Sequence, residues 1–277
     1  MKIPSAPGIP PLVSYTIFDL AKKREVKVGE EELRNRFDRD GAVVLPDFLT
    51  EAEMQPLRRE LDAHYASLAE KAATSHNGTG VLAKFECDVM VWAPLAEGNA
   101  AFITLNEMPK LAQVTQTLLD EGFNTNPKGL VMYSVGGGRG QAWHQDCPPC
   151  GPESKEFNLN RLIYTEDVTL ADGAIVFVPG SHRRGRIPSG GHQDPIEGEI
   201  TLEPQKGTLV LLHGHVYHRV TPNLNMKPRT SINLRAYPSG IDASVTCIGV
   251  YRNGDVNFCE TFKQHDGKPV ELVATMR

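Results

Sequence analysis

Cysteine is scarce in this chain: five among 277 residues, an odd number scattered from Cys87 to Cys259. So thin a supply does not build a disulfide framework, and the expected setting is a reducing cytoplasm in which a packed core holds the fold. Long apolar runs are also missing: no stretch approaches the roughly 18 continuous apolar residues of a membrane helix. Pro4, Pro7, Pro10 and Pro11 stand where a secretory signal would carry its apolar segment, and Ala274-Thr275-Met276-Arg277 matches no sorting or lipidation signal. Basic clusters are short. None exceeds Lys22-Lys23-Arg24, and the formal net charge is −5. Neither a nucleic-acid partner nor a membrane surface is expected. Internal repeats and low-complexity tracts are absent as well.

What is there is an ordinary globular composition, 40% hydrophobic and 23% charged, enough to bury one sizeable core. A single domain over residues 1–277 is the expectation. Glu30 to Arg39 reads as a short polar helix and Gly41 to Leu45 as a strand. Thr50, with Glu53 three residues on, forms a capping box that opens a helix to about Ala69. Met54, Leu57, Leu61, Tyr65 and Leu68 are its 3.6-residue stripe. A third helix is predicted from Lys110 to Asp120, stopping at Gly122.

Beyond Gly129 the texture changes to short apolar runs broken by glycine and proline. Strands are predicted at Leu130 to Val135, Arg161 to Tyr164, Ala174 to Val178, Thr208 to Leu212, Ser231 to Tyr237 and Val245 to Tyr251. Many short strands after a helical lead-in, without strand–helix alternation, point to a sandwich, barrel or jelly roll braced by helices.

The segment richest in chemistry is Gln141-Ala142-Trp143-His144-Gln145-Asp146. In an extended chain His144 and Asp146 point to the same side, because strand side chains alternate with period two. His218, just past the strand at Thr208 to Leu212, is placed to add a third ligand. Two imidazoles and one carboxylate on one face of a metal mark non-haem Fe(II) oxygenases, which keep their other positions open. A lone His-x-Asp is weak evidence, as the second copy His192-Gln193-Asp194 demonstrates. That copy lies in a Gly/Pro-rich loop with no strand before it, and reads as a decoy. His213 and His215, on either side of Gly214, read as wall or hydrogen-bonded residues. Arg229, eleven residues after His218, forms an Arg-x-Ser unit with Ser231. On a strand that unit presents a guanidinium and a hydroxyl together, suited to the distal carboxylate of 2-oxoglutarate.

The ordered set Trp143-His144-Gln145-Asp146, then Gly173-Ala174-Ile175-Val176-Phe177-Val178-Pro179-Gly180-Ser181-His182, then His218 and Arg229 resembles the phytanoyl-CoA dioxygenase family. Asp40-Gly41-Ala42-Val43-Val44-Leu45-Pro46-Asp47-Phe48-Leu49 resembles that family's opening, so the likeness runs from about Arg34 to Pro238. The resemblance implies a double-stranded β-helix, the cupin-type jelly roll, over about residues 129–255 after a helical part at about 30–125. It implies an Fe(II)- and 2-oxoglutarate-dependent dioxygenase that uses O₂, with His144, Asp146 and His218 as iron ligands. Arg229, assisted by Ser231, matches the cosubstrate's distal carboxylate, and Gln141 matches a glutamine that contacts the cosubstrate in some members. Asp146 separates the chain from halogenating relatives, which carry a small residue there. His182 matches a turn-stabilising histidine. Cys147-Pro148-Pro149-Cys150 lies outside the family pattern and reads as loop chemistry.

The implied reaction oxidises a small organic substrate while 2-oxoglutarate becomes succinate and CO₂, and it needs no general acid or base. Arg161 with Asn158 and Asn160 is either a seat for an anionic substrate or a strand edge. Arg183, Arg184 and Arg186 are either a second such seat or a solvated loop. Trp143, Phe157, Tyr164 and Tyr217 are pocket lining or core. Two other classes stand beside the oxygenase: a metal-dependent cupin isomerase or hydrolase without 2-oxoglutarate, and a non-catalytic small-molecule binder on the same fold.

Overall fold

The computed structural model describes residues 14–74, 89–119, 122–127, 129–134, 140–146, 157–225, 227–240 and 250–252. A hairpin of β1 (Tyr15–Asp19) and β2 (Arg24–Val28) leads into α1 (Glu30–Asp40), β3 (Ala42–Leu45) and the long α2 (Glu51–Thr74). Next come β4 (Val89–Trp92), α3 (Ala100–Asn106), α4 (Pro109–Leu119), β5 (Phe123–Thr125), β6 (Leu130–Ser134), β7 (Gln141–Gln145) and β8 (Leu159–Ile163). A short α5 (Leu170–Gly173) precedes β9 (Ile175–Phe177), β10 (Ile200–Leu202), β11 (Leu209–His213), β12 (His218–Val220), β13 (Arg229–Asn233), β14 (Ala236–Pro238) and β15 (Val250–Tyr251).

Apart from the hairpin, the strands form two antiparallel sheets. The larger runs β3-β11-β8-β13-β6-β4, with β14 and β5 beside it, and the smaller runs β10-β9-β12-β7-β15. Alternation along the strands sorts their side chains into layers. Ala42, Val44, Leu162, Val210 and Leu212 of the larger sheet pack with Ile175 and Phe177 of the smaller one between the sheets. Val43, Leu45, Ile163, Leu209, Leu211 and Ile232 face the other way, into a core shared with α1, α2, α3 and α4. Both faces of the larger sheet are thus buried, which is why its strands read as unbroken apolar runs. A third cluster, with Trp143, Val176, Val178 and Tyr217, covers the outer face of the smaller sheet. This is the helix-braced jelly roll that the sequence implies. None of the described helices is long and apolar enough to cross a membrane.

Several boundaries follow from identifiable local chemistry. Acidic residues fill the first turn of α1, and Leu33 and Phe37 bury one stripe of it. It ends at Gly41, whose φ is +70° and whose N–H donates to the Phe37 carbonyl at 2.7 Å. In α2 the capping box is present: the Thr50 N–H donates to Glu53 Oε2 at 2.7 Å and the Glu53 N–H to Thr50 Oγ1 at 3.4 Å. The helix then continues to Thr74, past the predicted Ala69.

The predicted strand Ser231 to Tyr237 is two strands, because β13 pairs with β6 and β8 whereas β14 pairs with β5. The chain changes partners at Leu234, whose N–H donates to the Arg161 carbonyl. The β1–β2 hairpin has no counterpart in the sequence reading. Val135, Asp120, residues 245–249 and the Cys147 to Cys150 segment lie outside the described residues.

A Cβ at position 41 would lie 2.5 Å from both the His182 Nδ1 and Val216 Cγ2, in addition to the left-handed backbone. Left-handed φ alone costs about 1–2 kcal/mol for a residue with a Cβ. Gly41→Ala is therefore expected to destabilise the fold by about 2 kcal/mol or more in urea denaturation, and a variant as stable as the parent would contradict this packing.

Candidate metal centre

β7 and β12 are neighbours in the smaller sheet, and their register sets His218 directly across from His144. Both rings point between the sheets, with centroids 4.0 Å apart. Asp146, one residue past β7, is anchored by its N–H donating to the Gly214 carbonyl at 2.8 Å. Its carboxylate oxygens lie 3.9 Å from the His144 Nε2 and 3.6 Å from the His218 Nε2. One ligand atom from each residue lies within 4.8 Å of the others, and all three residues are buried. No other such group exists among the described residues.

The imidazoles are pre-oriented. The Nδ1 of His144 meets the Ala142 carbonyl and that of His218 meets the Val216 carbonyl, each at 2.8 Å. A carbonyl only accepts, so each ring carries a proton on Nδ1 and turns its Nε2 toward the shared point. Burial, and behind it the neighbouring His218 ring, push His144 down to about 3, so it is neutral as a ligand must be. Burial alone would raise the Asp146 carboxyl. The Arg235 guanidinium overcomes that, with both histidines and Asn160 behind it, and holds the carboxyl well below the usual range. Two imidazoles and an ionised carboxylate are a donor set that fits Fe(II).

Asp146 is held by Arg235, which sequence reasoning missed, and by Asn160, which it weighed only as part of a substrate seat. Arg235 Nη2 donates to its Oδ1 at 2.9 Å, and the Asn160 amide donates to Oδ2. Asn160 Oδ1 in turn accepts from Asn233 at 2.8 Å and from Arg235 Nε at 3.0 Å. The signal was available: Arg229-Thr230-Ser231-Ile232-Asn233-Leu234-Arg235 carries four polar side chains at alternate positions. The Arg-x-Ser unit is the start of a longer polar face.

Arg229 and Ser231 line the same cleft as the three candidate ligands. Arg229 is buried, and its Nη1 reaches Ser231 Oγ at 3.4 Å. Its Nε has no hydrogen-bond partner, and no carboxylate among the described residues pairs with it. Gln141 reaches the cleft through a bulge. Between His218 and Val220, the single residue Arg219 of β12 faces two of β7, Ala142 and Trp143, and this turns Gln141 to the His144 side.

Several other candidates lie away from the cleft, and of these only the substrate-seat reading of Arg161 needs correction. Arg161 points away from the cleft, because it alternates with Asn160 and Leu162. Its guanidinium meets the Leu234 carbonyl, Thr115 Oγ1 and Asn106 Oδ1 among the helices. It cannot receive a substrate there. Trp143 and Tyr217 belong to the outer cluster, where the indole donates to the Asp194 carbonyl at 2.8 Å and the phenol to the Arg186 carbonyl at 3.0 Å. Phe157 stacks on His213 at 3.8 Å, and His213 also accepts from the His215 N–H at 3.1 Å. His182 Nε2 donates to the Asp38 carbonyl at 3.1 Å and ties its turn to α1. Arg183, Arg184 and Arg186 are exposed. In the second His-Gln-Asp triplet, His192 and Asp194 are exposed in a loop outside β7.

Residues 37–231 match the model of the phytanoyl-CoA dioxygenase family. The chain belongs to that family. It is 27% identical to the methylphosphonate hydroxylase of Gimesia maris over 72% of this chain and 77% of that protein. It is 24% identical to the Fe(II)/2-oxoglutarate-dependent dioxygenase nvfF of Aspergillus novofumigatus, over 74% of this chain and 71% of the relative. The crystal structure of the epimerase SnoN in complex with Fe3+, α-ketoglutarate and nogalamycin RO shares the fold. There the TM-score is 0.56 at 20% identity, covering 90% of this chain and 95% of that one. As a member of the family, the protein is an Fe(II)- and 2-oxoglutarate-dependent dioxygenase on a cupin-type jelly roll.

Groups that orient a metal-binding carboxylate typically matter by 10–100-fold in metal affinity. Arg235→Met is expected to weaken Fe(II) binding by roughly that factor in a chelator-competition titration. Parental affinity in this variant would show that Asp146 does not depend on the pair.

Proposed function

We propose that the protein oxidises a C–H bond of a small organic molecule, most simply by hydroxylation, in which 2-oxoglutarate is decarboxylated to succinate and CO₂, one atom of O₂ entering the succinate and the other the product's hydroxyl group. In this reading His144, Asp146 and His218 hold Fe(II), and Arg229 with Ser231 receives the distal carboxylate of 2-oxoglutarate. Gln141 contacts the cosubstrate near the metal. Residues 1–277 are read as one catalytic domain acting in a reducing cytoplasm. The observation that carries the proposal is the buried Arg229 guanidinium without an acidic partner among the described residues, in the same cleft as the triad. A buried, unpaired cation is unfavourable unless an anion arrives.

Bound Fe(II) supplies the redox chemistry, activating O₂ at the expense of 2-oxoglutarate. The protein supplies position. The backbone-anchored Nδ1 atoms aim both Nε2 lone pairs at the metal. Arg235 and Asn160 fix the Asp146 carboxylate so that it does not swing between lone pairs. Arg229 sets the depth of the diacid, and the apolar walls Met132, Leu162 and Ile175 exclude water from its methylene chain. No side chain is needed as a general acid or base.

Under anaerobic conditions, adding 2-oxoglutarate to the Fe(II) protein should produce a weak visible charge-transfer band. His144→Ala and His218→Ala should each abolish it, whereas His192→Ala should leave it. A band that survives in both ligand variants would refute the assignment.

Removing one partner of a desolvated charge pair costs about 2–5 kcal/mol. At 1.4 kcal/mol per tenfold, Arg229→Ala should raise the 2-oxoglutarate requirement roughly 30-fold or more, with metal affinity in its absence unchanged. Arg229→Lys should recover only part of the loss, because it lacks the two-pronged geometry. An unchanged requirement in Arg229→Ala, with no succinate formed by the parent, would favour a metal-dependent isomerase or hydrolase instead.

A further inference from the structure

Tyr164 follows directly after β8 and shares the inward face with Asn160 and Leu162. Its ring is buried in the core between the sheets, only 1% of the residue is exposed, and it lines the same cleft as Arg229. The phenol oxygen is buried and makes no hydrogen bond of good geometry among the described residues: the Arg229 guanidinium faces it as a donor, and no acceptor meets its own proton. The guanidinium carbon of Arg229 lies 5.9 Å from the Tyr164 ring centroid, and the Arg229 Nε is likewise unpartnered. Buried polar groups almost always find partners, so two orphans beside one another in one cleft call for a common explanation.

Both orphans can donate, and so can Ser231, whose oxygen already accepts from Arg229. What this end of the cleft lacks is an acceptor. A carboxylate offers two oxygens and about four acceptor sites, and it brings no donor of its own. A neutral ligand would leave the guanidinium uncompensated.

We propose that the Tyr164 hydroxyl, with Arg229 and Ser231, forms a three-donor seat for the distal carboxylate of 2-oxoglutarate, and that Tyr164 helps select a five-carbon diacid over monoacids. This rests on the proposed role of Arg229. The phenol closes the seat from the β8 side while Arg229 and Ser231 approach from β13. It adds a neutral donor where a second cation would leave excess charge.

The test is calorimetric titration of the anaerobic Fe(II) protein and its Tyr164→Phe variant. One arm uses 2-oxoglutarate and the other 2-oxopentanoate, which keeps the chelating end but lacks the distal carboxylate. A hydrogen bond to a charged group corresponds to about a ten- to hundredfold change in affinity. Tyr164→Phe should weaken 2-oxoglutarate by that factor and leave 2-oxopentanoate unchanged. The melting temperature of the ligand-free variant should be close to the parent's, because the hydroxyl donates to nothing there.

Equal weakening of both ligands, or a lower ligand-free melting temperature, would make the hydroxyl a structural group and overturn the proposal. Parental 2-oxoglutarate affinity in Tyr164→Phe, with a loss in Arg229→Ala, would remove Tyr164 from the seat and leave the Arg229 assignment intact. Parental affinity in both variants would remove the seat altogether.

Discussion

His144 faces His218 because β7 and β12 pair antiparallel in one register, and the site depends on that pairing. A slip of one residue would turn Trp143 inward and carry the imidazole into the outer cluster, since adjacent strand side chains point to opposite faces. The register is fixed from both sides. Trp143 fills the outer core while the inner face carries the ligand candidates, so neither face tolerates the other's residues. The bulge that follows is part of the same device. It adds one residue to β7, and Gln141 joins the face it would otherwise leave.

The interior is graded from apolar to cationic. At one end Val44, Leu162, Val210 and Phe177 pack as ordinary core. At the other, Arg229 and Arg235 bring two guanidiniums into a cleft whose only carboxylate among the lining residues is Asp146. Arg235 is matched to it, and Arg229 is not. A divalent metal adds further positive charge, so the loaded cleft suits a doubly anionic ligand better than a neutral one. Arg161 shows the contrast. It is as deeply buried but surrounded by neutral acceptors, so burial alone moves it, down to about 9. It fastens β8 to α3 and α4 instead of serving chemistry.

Much of this was legible in the sequence, for physical reasons. Period-two alternation put His144 with Asp146 and Arg229 with Ser231, and the strands of the larger sheet announced themselves because both faces are apolar. The β1–β2 hairpin did not, because its turn uses neither Gly nor Asn. Instead Lys23 adopts φ +50°, and Asp19 accepts from the N–H groups of Ala21 and Lys22 at 3.1 and 2.9 Å. For Trp143 and Tyr217 pocket lining and core were both open, and they are core: an aromatic beside a ligand in sequence lies on the opposite face of a strand, so adjacency is not proximity. Arg235 was missed, and Asn160 was weighed only as part of a substrate seat, because both act through Asp146, and a residue whose partner is another side chain leaves no local motif.

The second His-Gln-Asp triplet works through different atoms. The His192 carbonyl accepts from the Trp143 N–H, the Asp194 carbonyl accepts from its indole, and the Gln193 amide donates to the carbonyls of Gln141 and Val220. Gln193 Oε1 also takes a hydrogen bond from Arg219 at 2.8 Å. The strap therefore clasps β7 and β12 from outside, chiefly through its backbone and its central residue. His192 is free to drift over evolutionary time, because a carbonyl is the same whatever side chain it accompanies. Gln193 is not, since its amide bridges both strands at once, and Asp194 is held because its carboxylate accepts from the Gly191 N–H at 2.9 Å. In the first triplet every position is constrained: the outer residues by chemistry, and the buried Gln145 because it donates to the carbonyls of Gly185 and His215 and accepts from the Ile187 N–H. Two identical words in one chain thus permit different changes, most clearly at the histidine, and a pattern search that weighs letters alone will confuse them.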